Sequence, residues 1–334
     1  MTADSLSPQE ITDATRELAV TVVVPAYNSA DTLSRTMDSL LAQTFDDFAV
    51  LVIDDGSAEN MLDLLPDDPR SLGYRLSRNQ GYAAVTNHAL EMIASRWTIF
   101  VDSDDTIAPE CLEVLVDRGE REHSDIVVLP LSWVHPSGTR VVPPHPMIES
   151  PLSGDRALRK FIDGRFRFTQ HLLFRPNHVR AAANTYSDLS FVFALMSAAE
   201  RVSFEPRCLY NCYIRAGSVT SELRPTIWDL ATVLDDVEDT LFETYRGKEA
   251  VEAIHRMRWM QLNHMVAKAG DDTELPGLQA EVYNWCREQI RFSHVVDALR
   301  IRHPGKGLSL VLAKLSPTVH SRAYRLRSRF KERV

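Results

Sequence analysis

The sequence is poor in cysteine and contains no long apolar run, and both absences narrow the class of protein. Only four of the 334 residues are cysteines, and none forms a CxxC pair. We therefore expect reduced structural thiols and neither a disulfide framework nor a zinc site. No run approaches the roughly 20 apolar residues that a spanning helix needs. The polar, acidic N-terminus does not resemble a secretory signal, so we expect a cytoplasmic protein.

Two further absences concern ligands. The first apolar run leads into Pro25-Ala26-Tyr27-Asn28 and no glycine-rich phosphate loop follows it, which disfavours a nucleotidyltransferase on a related sheet. The scattered histidines, such as His88 and His171, show no spacing typical of metal ligands. The chain also shows no internal repeat and no low-complexity segment.

Charge is distributed unevenly along the chain. Residues 301–334 contain nine basic residues and one acidic residue, a net charge of +8. Because the whole chain has a formal charge of −9, residues 1–300 carry a net charge of −17. A basic, partly amphipathic segment of this kind is typical of binding to an anionic membrane surface. The alternative is docking onto the acidic remainder of the chain or onto a partner subunit. Nucleic acid is disfavoured as a partner because the rest of the chain is acidic.

Short apolar runs alternate with helical patterns over about the first 130 residues. This alternation predicts an α/β fold with a doubly wound, mostly parallel sheet covered on both faces. Polar clusters follow the strands at their carboxyl ends, where open α/β sheets bind ligands. The predicted strands are Val20–Val24, Phe48–Ile53, Tyr74–Leu76, Trp97–Val101 and Ile126–Leu131.

The later part of the chain has a different pattern. Residues 132–150 are rich in proline and glycine and predict a loop or hairpin, whereas residues 225–300 have helical spacing throughout. We place a domain boundary near residues 221–225. The predicted organisation is a flexible N-terminus over 1–17, an α/β domain over 18–222, an all-helical domain over 223–300 and a basic amphipathic tail over 301–334.

An acidic triplet, Asp102-Ser103-Asp104, follows the fourth predicted strand. Alternate carboxylates on such a loop offer the oxygen ligands that hard divalent cations prefer, and they leave positions open for diphosphate oxygens. A bound cation would then act as a Lewis acid on a leaving diphosphate. The alternative is a solvated acidic turn.

A second acidic cluster, Asp54-Asp55-Gly56-Ser57, follows the second strand. One interpretation is a turn in which aspartate caps the next helix and glycine permits positive φ. The other is that a carboxylate accepts the imide N–H of uracil while Tyr27 stacks on the base. The residues alone leave both interpretations open.

Five segments in chain order resemble the GT-A glycosyltransferases of family 2, over roughly residues 18–220. They are Thr21–Asn28, Gln43–Phe45, Val52–Ser57, Asn79–Gly81 and Phe100–Asp105. The resemblance implies the GT-A fold and a metal-dependent, inverting transfer of sugar from a nucleotide diphosphate, favouring a UDP-sugar, to an acceptor hydroxyl. It implies Mn²⁺ or Mg²⁺ as the cofactor.

The resemblance also implies roles for residues of the nucleotide pocket. Tyr27 would stack on the base beside a wall formed by Pro25 and Ala26. Asp55 would bind the base edge. Asn79, Gly81 and Asn87 would line the pocket, although Thr86 replaces an arginine that is usual in the family.

Three residues of the acidic triplet receive implied roles as well. Asp104 would be the direct metal ligand. Asp102 would contact the ribose or the metal shell, with Ser103 beside it in the donor site.

The general base implied by the resemblance is Asp188. A carboxylate within hydrogen-bond reach of the acceptor hydroxyl suffices for this task. Ser187 stands where the family often has glutamate. The alternative is that Asp188 only caps a helix over Leu189–Ala199.

A closing segment, Tyr213–Thr220, also matches the family pattern. Arg215 would pair with a phosphate, and Ser218 would belong to a loop folded over the diphosphate. The alternative is a surface loop with a solvated arginine.

The predicted function is therefore glycosyl transfer to a glycan or lipid-linked acceptor. The product would be a cell-surface polysaccharide, a teichoic-acid-type polymer or a glycolipid, made at the inner face of the membrane. The departures at Thr86 and Ser187 leave open a catalytically silent subunit that binds nucleotide-sugar or glycan.

Overall fold

The computed structural model describes residues 5–143, 148–164, 171–176, 179, 186–214, 223–271, 273–300 and 304–331, without the side chains of 187, 297, 300 and 327–331. The chain divides into two compact units, Met1–Ile214 and Arg215–Val334. The predicted boundary lay near residues 221–225, a few residues later.

Strands and helices alternate through the first unit, as the apolar runs predicted. The strands are β1 (Val20–Ala26), β2 (Phe48–Asp54), β3 (Ser71–Arg75), β4 (Trp97–Phe100), β5 (Thr106–Ile107), β6 (Ile126–Val128), β7 (Leu131–Val134), β8 (Arg140–Val141), β9 (Leu173–Phe174), β10 (Val202–Phe204) and β11 (Tyr210–Tyr213). The helices are α1 (Pro8–Thr15), α2 (Ala30–Leu41), α3 (Tyr82–Met92), α4 (Cys111–Arg121), α5 (Gly154–Ile162) and α6 (Ser187–Ala198), with a 3₁₀ turn at Met61–Leu64.

The described strands form two sheets. The larger has the order β10-β6-β9-β4-β1-β2-β3. Its neighbours pair in parallel, except that β9 runs antiparallel to both β4 and β6. The smaller sheet has the order β5-β11-β7-β8. The predicted mostly parallel sheet is thus present, with one reversed strand inside it.

Burial explains the apolar runs of the central strands. Every residue of β2 is buried, and β1 is buried apart from the half-buried Pro25. A parallel sheet covered on both faces requires such continuous apolar strands. Leu33, Met37 and Leu40 of α2 lie in the same core cluster, so the i, i+4, i+7 spacing read from the sequence faces the sheet.

The predicted strand Ile126–Leu131 is two strands in different sheets. β6 ends at Val128 and β7 begins at Leu131, with Pro130 between them. Proline cannot donate a ladder hydrogen bond, which favours a break at this point. The predicted hairpin follows, because β7 pairs antiparallel with β8.

The N-terminal residues predicted as flexible over 1–17 contain a packed helix, and this is a correction. Ser7 and Glu10 form a capping box at the start of α1. Ile11 is fully buried, and the Thr12 hydroxyl donates to the Met92 carbonyl at 2.7 Å. The apolar contact and the side-chain hydrogen bond explain why the segment is ordered.

All the secondary-structure elements described in the second unit are helical, as predicted. After a 3₁₀ turn at Pro225–Trp228, its helices are α7 (Asp229–Thr244), α8 (Gly247–Gly270), α9 (Pro276–Gln289), α10 (Phe292–Arg300), α11 (Pro304–Leu315) and α12 (Pro317–Lys331). Both α11 and α12 contact α8, so the predicted tail packs within this unit. Among the described helices, none is long and apolar enough to cross a membrane.

Candidate functional site

The loops that follow β1 and β2 are tied together at the carboxyl edge of the sheet. Asn28 adopts a left-handed conformation with φ of 49°, which asparagine tolerates better than most residues. Its backbone N–H donates to Ser57 Oγ at 2.9 Å, and its side-chain oxygen accepts from the backbone N–H of Ala58 at 3.0 Å. Tyr27 beside it is 51% exposed. A planar ligand can therefore approach the Tyr27 ring.

The two aspartates of the second acidic cluster differ in what they bind. Asp54 is fully buried, accepts the backbone N–H of Ser57 at 2.9 Å and pairs with Arg75 at 3.1 Å. Asp54 is therefore the turn carboxylate. Asp55 instead accepts the backbone N–H groups of Gln80 at 2.7 Å and Gly81 at 2.8 Å.

Asp55 thus holds the predicted pocket segment Asn79–Gly81 against the end of β2. Gly81 has φ of 88°, a conformation that glycine adopts without strain. Asn79 is exposed, and Pro25 and Ala26 lie half-buried and buried at the end of β1. The predicted pocket walls are therefore at one edge of the sheet.

Two carboxylates and one imidazole converge where β4 ends. One ligand atom from each of Asp102, Asp105 and His171 lies within 4.8 Å of the others. His171 Nε2 is 3.4 Å from Asp102 Oδ2, and its Nδ1–H donates to the Phe100 carbonyl at 3.1 Å. The hydrogen bond to the carbonyl directs Nε2 towards the carboxylates, as it does in histidines that bind metals.

Burial and mutual charge shift the pKa values of this trio. Burial alone lowers the pKa of His171, but the charges of Asp102 and Asp105 outweigh it and raise the pKa to about 9. Burial and then the charge of Asp102 raise the pKa of Asp105 to about 7. Without a metal, the protonated imidazole of His171 therefore neutralises part of the carboxylate charge in a poorly hydrated position, and a divalent cation could replace that proton as the counter-charge.

The fit of the trio to a cation can be judged from its donor set. Two carboxylates and an imidazole are ligands that Mn²⁺ accepts, with positions left for diphosphate oxygens. Both oxygens of Asp105 already accept hydrogen bonds, from the Tyr210 hydroxyl at 2.9 Å and the Tyr213 backbone N–H at 2.8 Å. Asp105 is thus held in place by two donors, and the group of residues fits a hard divalent cation.

Asp104, predicted as the direct metal ligand, is half-buried and lies outside the trio. Its charge contributes to the raised pKa of Asp105, so the two carboxylates are close. Ser103 between the aspartates is buried.

One face of α2 holds the backbone of this aspartate loop. Thr32 Oγ1 donates to the carbonyl of Ser103 at 2.8 Å, Arg35 Nη2 to that of Asp104 at 2.6 Å, and Thr36 Oγ1 to that of Asp105 at 2.8 Å. Residues at i, i+3 and i+4 share one side of a helix. Three consecutive carbonyls of the loop are therefore fixed by three donors on one helical turn.

Asp188 lies in the first turn of α6, and the capping position is occupied by Tyr186. Its carboxylate accepts the backbone N–H of Leu189, and burial raises its pKa. The charges of His171 and Asp102 also act on Asp188, with opposite effects. Asp188 therefore shares an environment with the trio, and it is not the N-cap residue of the alternative interpretation.

Tyr82, at the start of α3, connects the same groups. Its hydroxyl donates to Asp102 Oδ1 at 3.3 Å. Burial raises the pKa of Tyr82 well above its ordinary value, and the charges of Asp102 and Asp188 raise it further. The ends of β2 and β4 and the starts of α3 and α6 thus converge on one site.

The remaining predicted residues have mixed outcomes. Asn87 is half-buried in α3. Thr86, in place of the family's arginine, is buried, and its hydroxyl has no hydrogen-bond partner among the described residues. Arg215 and Ser218 lie outside the described residues, as does the side chain of Ser187.

Sequence reasoning missed His171 and Tyr210, and it did not single out Asp105. His171 precedes β9, and because β9 runs antiparallel to β4, the start of β9 lies at the carboxyl edge of β4. Tyr210 is fully buried on β11, and its ring stacks on His171 at 4.4 Å. Of these three residues, only Asp105 was indicated by the sequence, because it is the third carboxylate of Asp102-Ser103-Asp104-Asp105.

The sequence of the chain is similar to those of known proteins. A sequence model of the family described as Glycosyl transferase family 2 matches residues 21–198. The succinoglycan biosynthesis protein ExoO of Rhizobium meliloti is 30% identical over 221 residues, which cover 61% of this chain and 63% of ExoO. The poly(ribitol-phosphate) beta-N-acetylglucosaminyltransferase TarP of Staphylococcus aureus is 32% identical over 115 residues, 33% of this chain and 35% of TarP. Both alignments span less than two thirds of the relative.

A solved structure resembles the chain over nearly its whole length. S. aureus TarS 1-349, in complex with UDP-GlcNAc, matches with a TM-score of 0.66 and 18% identity, covering 94% of this chain and 92% of TarS 1-349. This likeness confirms the predicted fold class, a GT-A-like, mostly parallel sheet followed by helices.

Proposed function

Because the chain belongs to glycosyl transferase family 2, we propose that it transfers a sugar from a nucleotide diphosphate to an acceptor hydroxyl, with inversion at the sugar carbon. The observation that carries this proposal is the shared environment of Asp188, Asp102 and His171. A candidate base and a candidate cation site thereby lie together at the ligand-binding edge of an α/β sheet.

The proposed donor is a UDP-sugar. The exposed ring of Tyr27 provides a stacking surface for the base. Asp55 supports the proposal by holding the Asn79–Gly81 segment in place. Each carboxylate oxygen can accept a second hydrogen bond, and we propose that one of them accepts the base N–H. The likeness to TarS in complex with UDP-GlcNAc points to the same donor class.

The proposed general base is Asp188. It would accept the proton of the acceptor hydroxyl while that oxygen bonds to C1 of the sugar, and the bond from C1 to the diphosphate oxygen breaks on the opposite face. Burial raises the pKa of Asp188, and a base becomes more effective as its pKa approaches the working pH. Tyr82 and His171 would orient the carboxylate of Asp102 beside Asp188.

The proposed cofactor is Mn²⁺ or Mg²⁺. Asp104 and Asp102 are the ligands that the family resemblance implies, and the geometry adds His171 and Asp105 as neighbours that fit such a cation. When bound, the cation would neutralise charge on the leaving diphosphate. Thr32, Arg35 and Thr36 would keep the aspartate loop fixed as the donor enters and leaves.

The proposed acceptor is a hydroxyl of a cell-surface polysaccharide, a teichoic-acid-type polymer or a glycolipid. The names of ExoO and TarP, a succinoglycan biosynthesis protein and a poly(ribitol-phosphate) glycosyltransferase, support this range. If the acceptor is lipid-linked, the enzyme has to reach it at a membrane surface, and we propose that it acts in the cytoplasm at the inner face of the membrane.

A two-step assay tests the proposal. Thermal shift with UDP-, GDP-, CDP- and dTDP-sugars in Mn²⁺ identifies the donor, and hydrolysis of that donor is then followed by release of nucleotide diphosphate. We expect the largest shift with a UDP-sugar. Binding of a donor without any hydrolysis or transfer would favour the catalytically silent subunit.

The role of Asp188 is tested with Asp188→Asn. We expect turnover to fall by about 100-fold or more, because a general base contributes on that scale, while donor affinity stays within about twofold. The matched control is Asp117→Asn on α4, where the carboxylate is exposed and pairs with Arg121 across one helical turn. Near-normal turnover of Asp188→Asn would remove Asp188 from the mechanism.

A further inference from the structure

Three consecutive helices of the second unit expose large apolar side chains at regular spacing. Each of α10, α11 and α12 carries two such residues seven positions apart, which places both on one side of their helix. The six residues are termed the outer apolar set: Phe292 (81% exposed), Leu299 (59%), Leu308 (59%), Leu315 (74%), Val319 (49%) and Leu326 (59%).

Helix α11 shows the pattern most clearly. Gly307, Leu310 and Ala313 are buried towards the neighbouring helices. The other side carries Leu308 and Leu315, together with the half-buried Val311 and Leu312 between them. Apolar residues on two opposite sides of a helix are expected where both of those sides are covered. The outer side of α11 therefore fits an apolar contact beyond this chain.

Charge in this region is predominantly positive. Residues 292–331 contain nine lysines and arginines and one acidic residue, Asp297, whereas the chain as a whole is acidic. Arg322 lies on the outer side of α12 between Val319 and Leu326 and is exposed. Apolar residues bordered by basic ones are typical of helices that lie in the interface of an anionic bilayer.

We propose that α10, α11 and α12 bind the surface of an anionic lipid bilayer through the outer apolar set. The leucines would enter the boundary between headgroups and acyl chains while Arg322 faces lipid phosphates, and the net positive charge of the region would add attraction to an anionic surface. No described helix can span a membrane, so the contact is with one leaflet. The choice of the inner leaflet rests on the proposed function, but binding to lipid does not.

A second copy of the chain is the competing occupant of this surface. Self-association through the same helices would bring two regions of nine basic residues and one acidic residue together. Like charges in contact are unfavourable at low salt. An anionic bilayer instead offers both the apolar interior and the opposite charge, so the charge pattern favours lipid.

Co-sedimentation of the full chain with vesicles tests the proposal. We expect binding to phosphatidylcholine vesicles that contain about 30% phosphatidylglycerol, little binding to pure phosphatidylcholine, and weaker binding at high salt because the charges are screened. The double variant Leu308→Ser/Leu315→Ser should lower the partition coefficient about tenfold or more, since two exposed leucines no longer enter the interface.

The matched control is Phe242→Ser/Val251→Ser. These residues are 53% and 60% exposed on α7 and α8, in the same unit but outside the outer apolar set, so the control should bind vesicles as the parent does. Circular dichroism and the thermal midpoint establish that both double variants are folded. Arg322→Glu adds a test of charge and should also weaken binding to anionic vesicles.

Equal vesicle binding by Leu308→Ser/Leu315→Ser and the parent would overturn the proposal, as would no binding of the parent. A dimer of the parent in light scattering that the double variant loses, without lipid binding, would identify a second copy as the occupant and also overturn it. Donor hydrolysis without acceptor should be unchanged in the double variant, so loss of lipid binding and failure of the proposed transferase function are separate results.

Discussion

The hydroxyl of Tyr210 joins two aspartates of the candidate site, and its removal gives a sharp test of the geometry. It donates to Asp105 Oδ2 at 2.9 Å and accepts from the backbone N–H of Asp102 at 3.1 Å. Tyr210 is fully buried, so water cannot readily replace either partner. In Tyr210→Phe the ring that stacks on His171 remains, and only the oxygen is lost.

The magnitude follows from the two hydrogen bonds. A hydrogen bond to a charged group contributes about 1.5–3 kcal/mol, and a buried polar group left unsatisfied costs about 1–3 kcal/mol. The two losses share one oxygen and are not additive. We therefore expect Tyr210→Phe to lower the free energy of unfolding of the first unit by about 2–4 kcal/mol.

Urea unfolding followed by tryptophan fluorescence measures this change, with EDTA present so that bound metal does not contribute. The control is Tyr27→Phe, which removes an equivalent hydroxyl from a ring that is 51% exposed and should change stability by less than about 0.5 kcal/mol. If Tyr210→Phe is as stable as the control, the hydroxyl does not bridge buried aspartates and the geometry of the trio is wrong.

Two further predictions concern the aspartate loop. Asp104→Ala should abolish the part of donor binding that depends on metal, measured by calorimetry with and without Mn²⁺; unchanged Mn²⁺ dependence would assign the cation to Asp102, Asp105 and His171 instead. Thr36→Val keeps the shape of the side chain but removes the donor to the Asp105 carbonyl, and leaving a buried carbonyl unpaired costs about 1–3 kcal/mol. Mn²⁺ affinity measured by electron paramagnetic resonance should fall about tenfold, whereas Thr12→Val on α1 should leave it unchanged. Equal affinities for the two variants would show that α2 does not set the loop geometry.

The central strands and their helices could be predicted from the sequence because burial forces their pattern. A strand such as β2, covered on both faces, must be apolar throughout, and the spacing in α2 reports the side that faces the sheet. The capping-box pattern of Ser7 and Glu10 is also visible in the sequence. Such a pattern marks the start of a helix, so it predicts α1.

The acidic half of the candidate site could be predicted as well, because carboxylates directly after parallel strands meet at one edge. His171 could not, since a residue before a strand is ordinarily placed at the opposite edge. Only the reversed direction of β9 brings it to Asp102. A two-residue strand leaves too little pattern for that direction to be read.

The position of the tail was likewise hidden. Basic and apolar residues in 301–334 indicated a surface segment, but α11 and α12 also bury residues against α8 and α9. Close packing at Gly307, where an added Cβ would lie 2.9 Å from that of Ala298, depends on which helices meet. Periodicity along one helix cannot show this.

The three donors of α2 carry a consequence for protein engineering. Thr32, Arg35 and Thr36 bind the successive backbone carbonyls of residues 103–105. A substitution that moves the backbone at one of these residues would therefore also move its neighbours. Libraries intended to alter which nucleotide is accepted should therefore spare this helical turn. Diversity is better introduced at Tyr27 and at residues 79–80, whose exposed side chains take no part in those three hydrogen bonds.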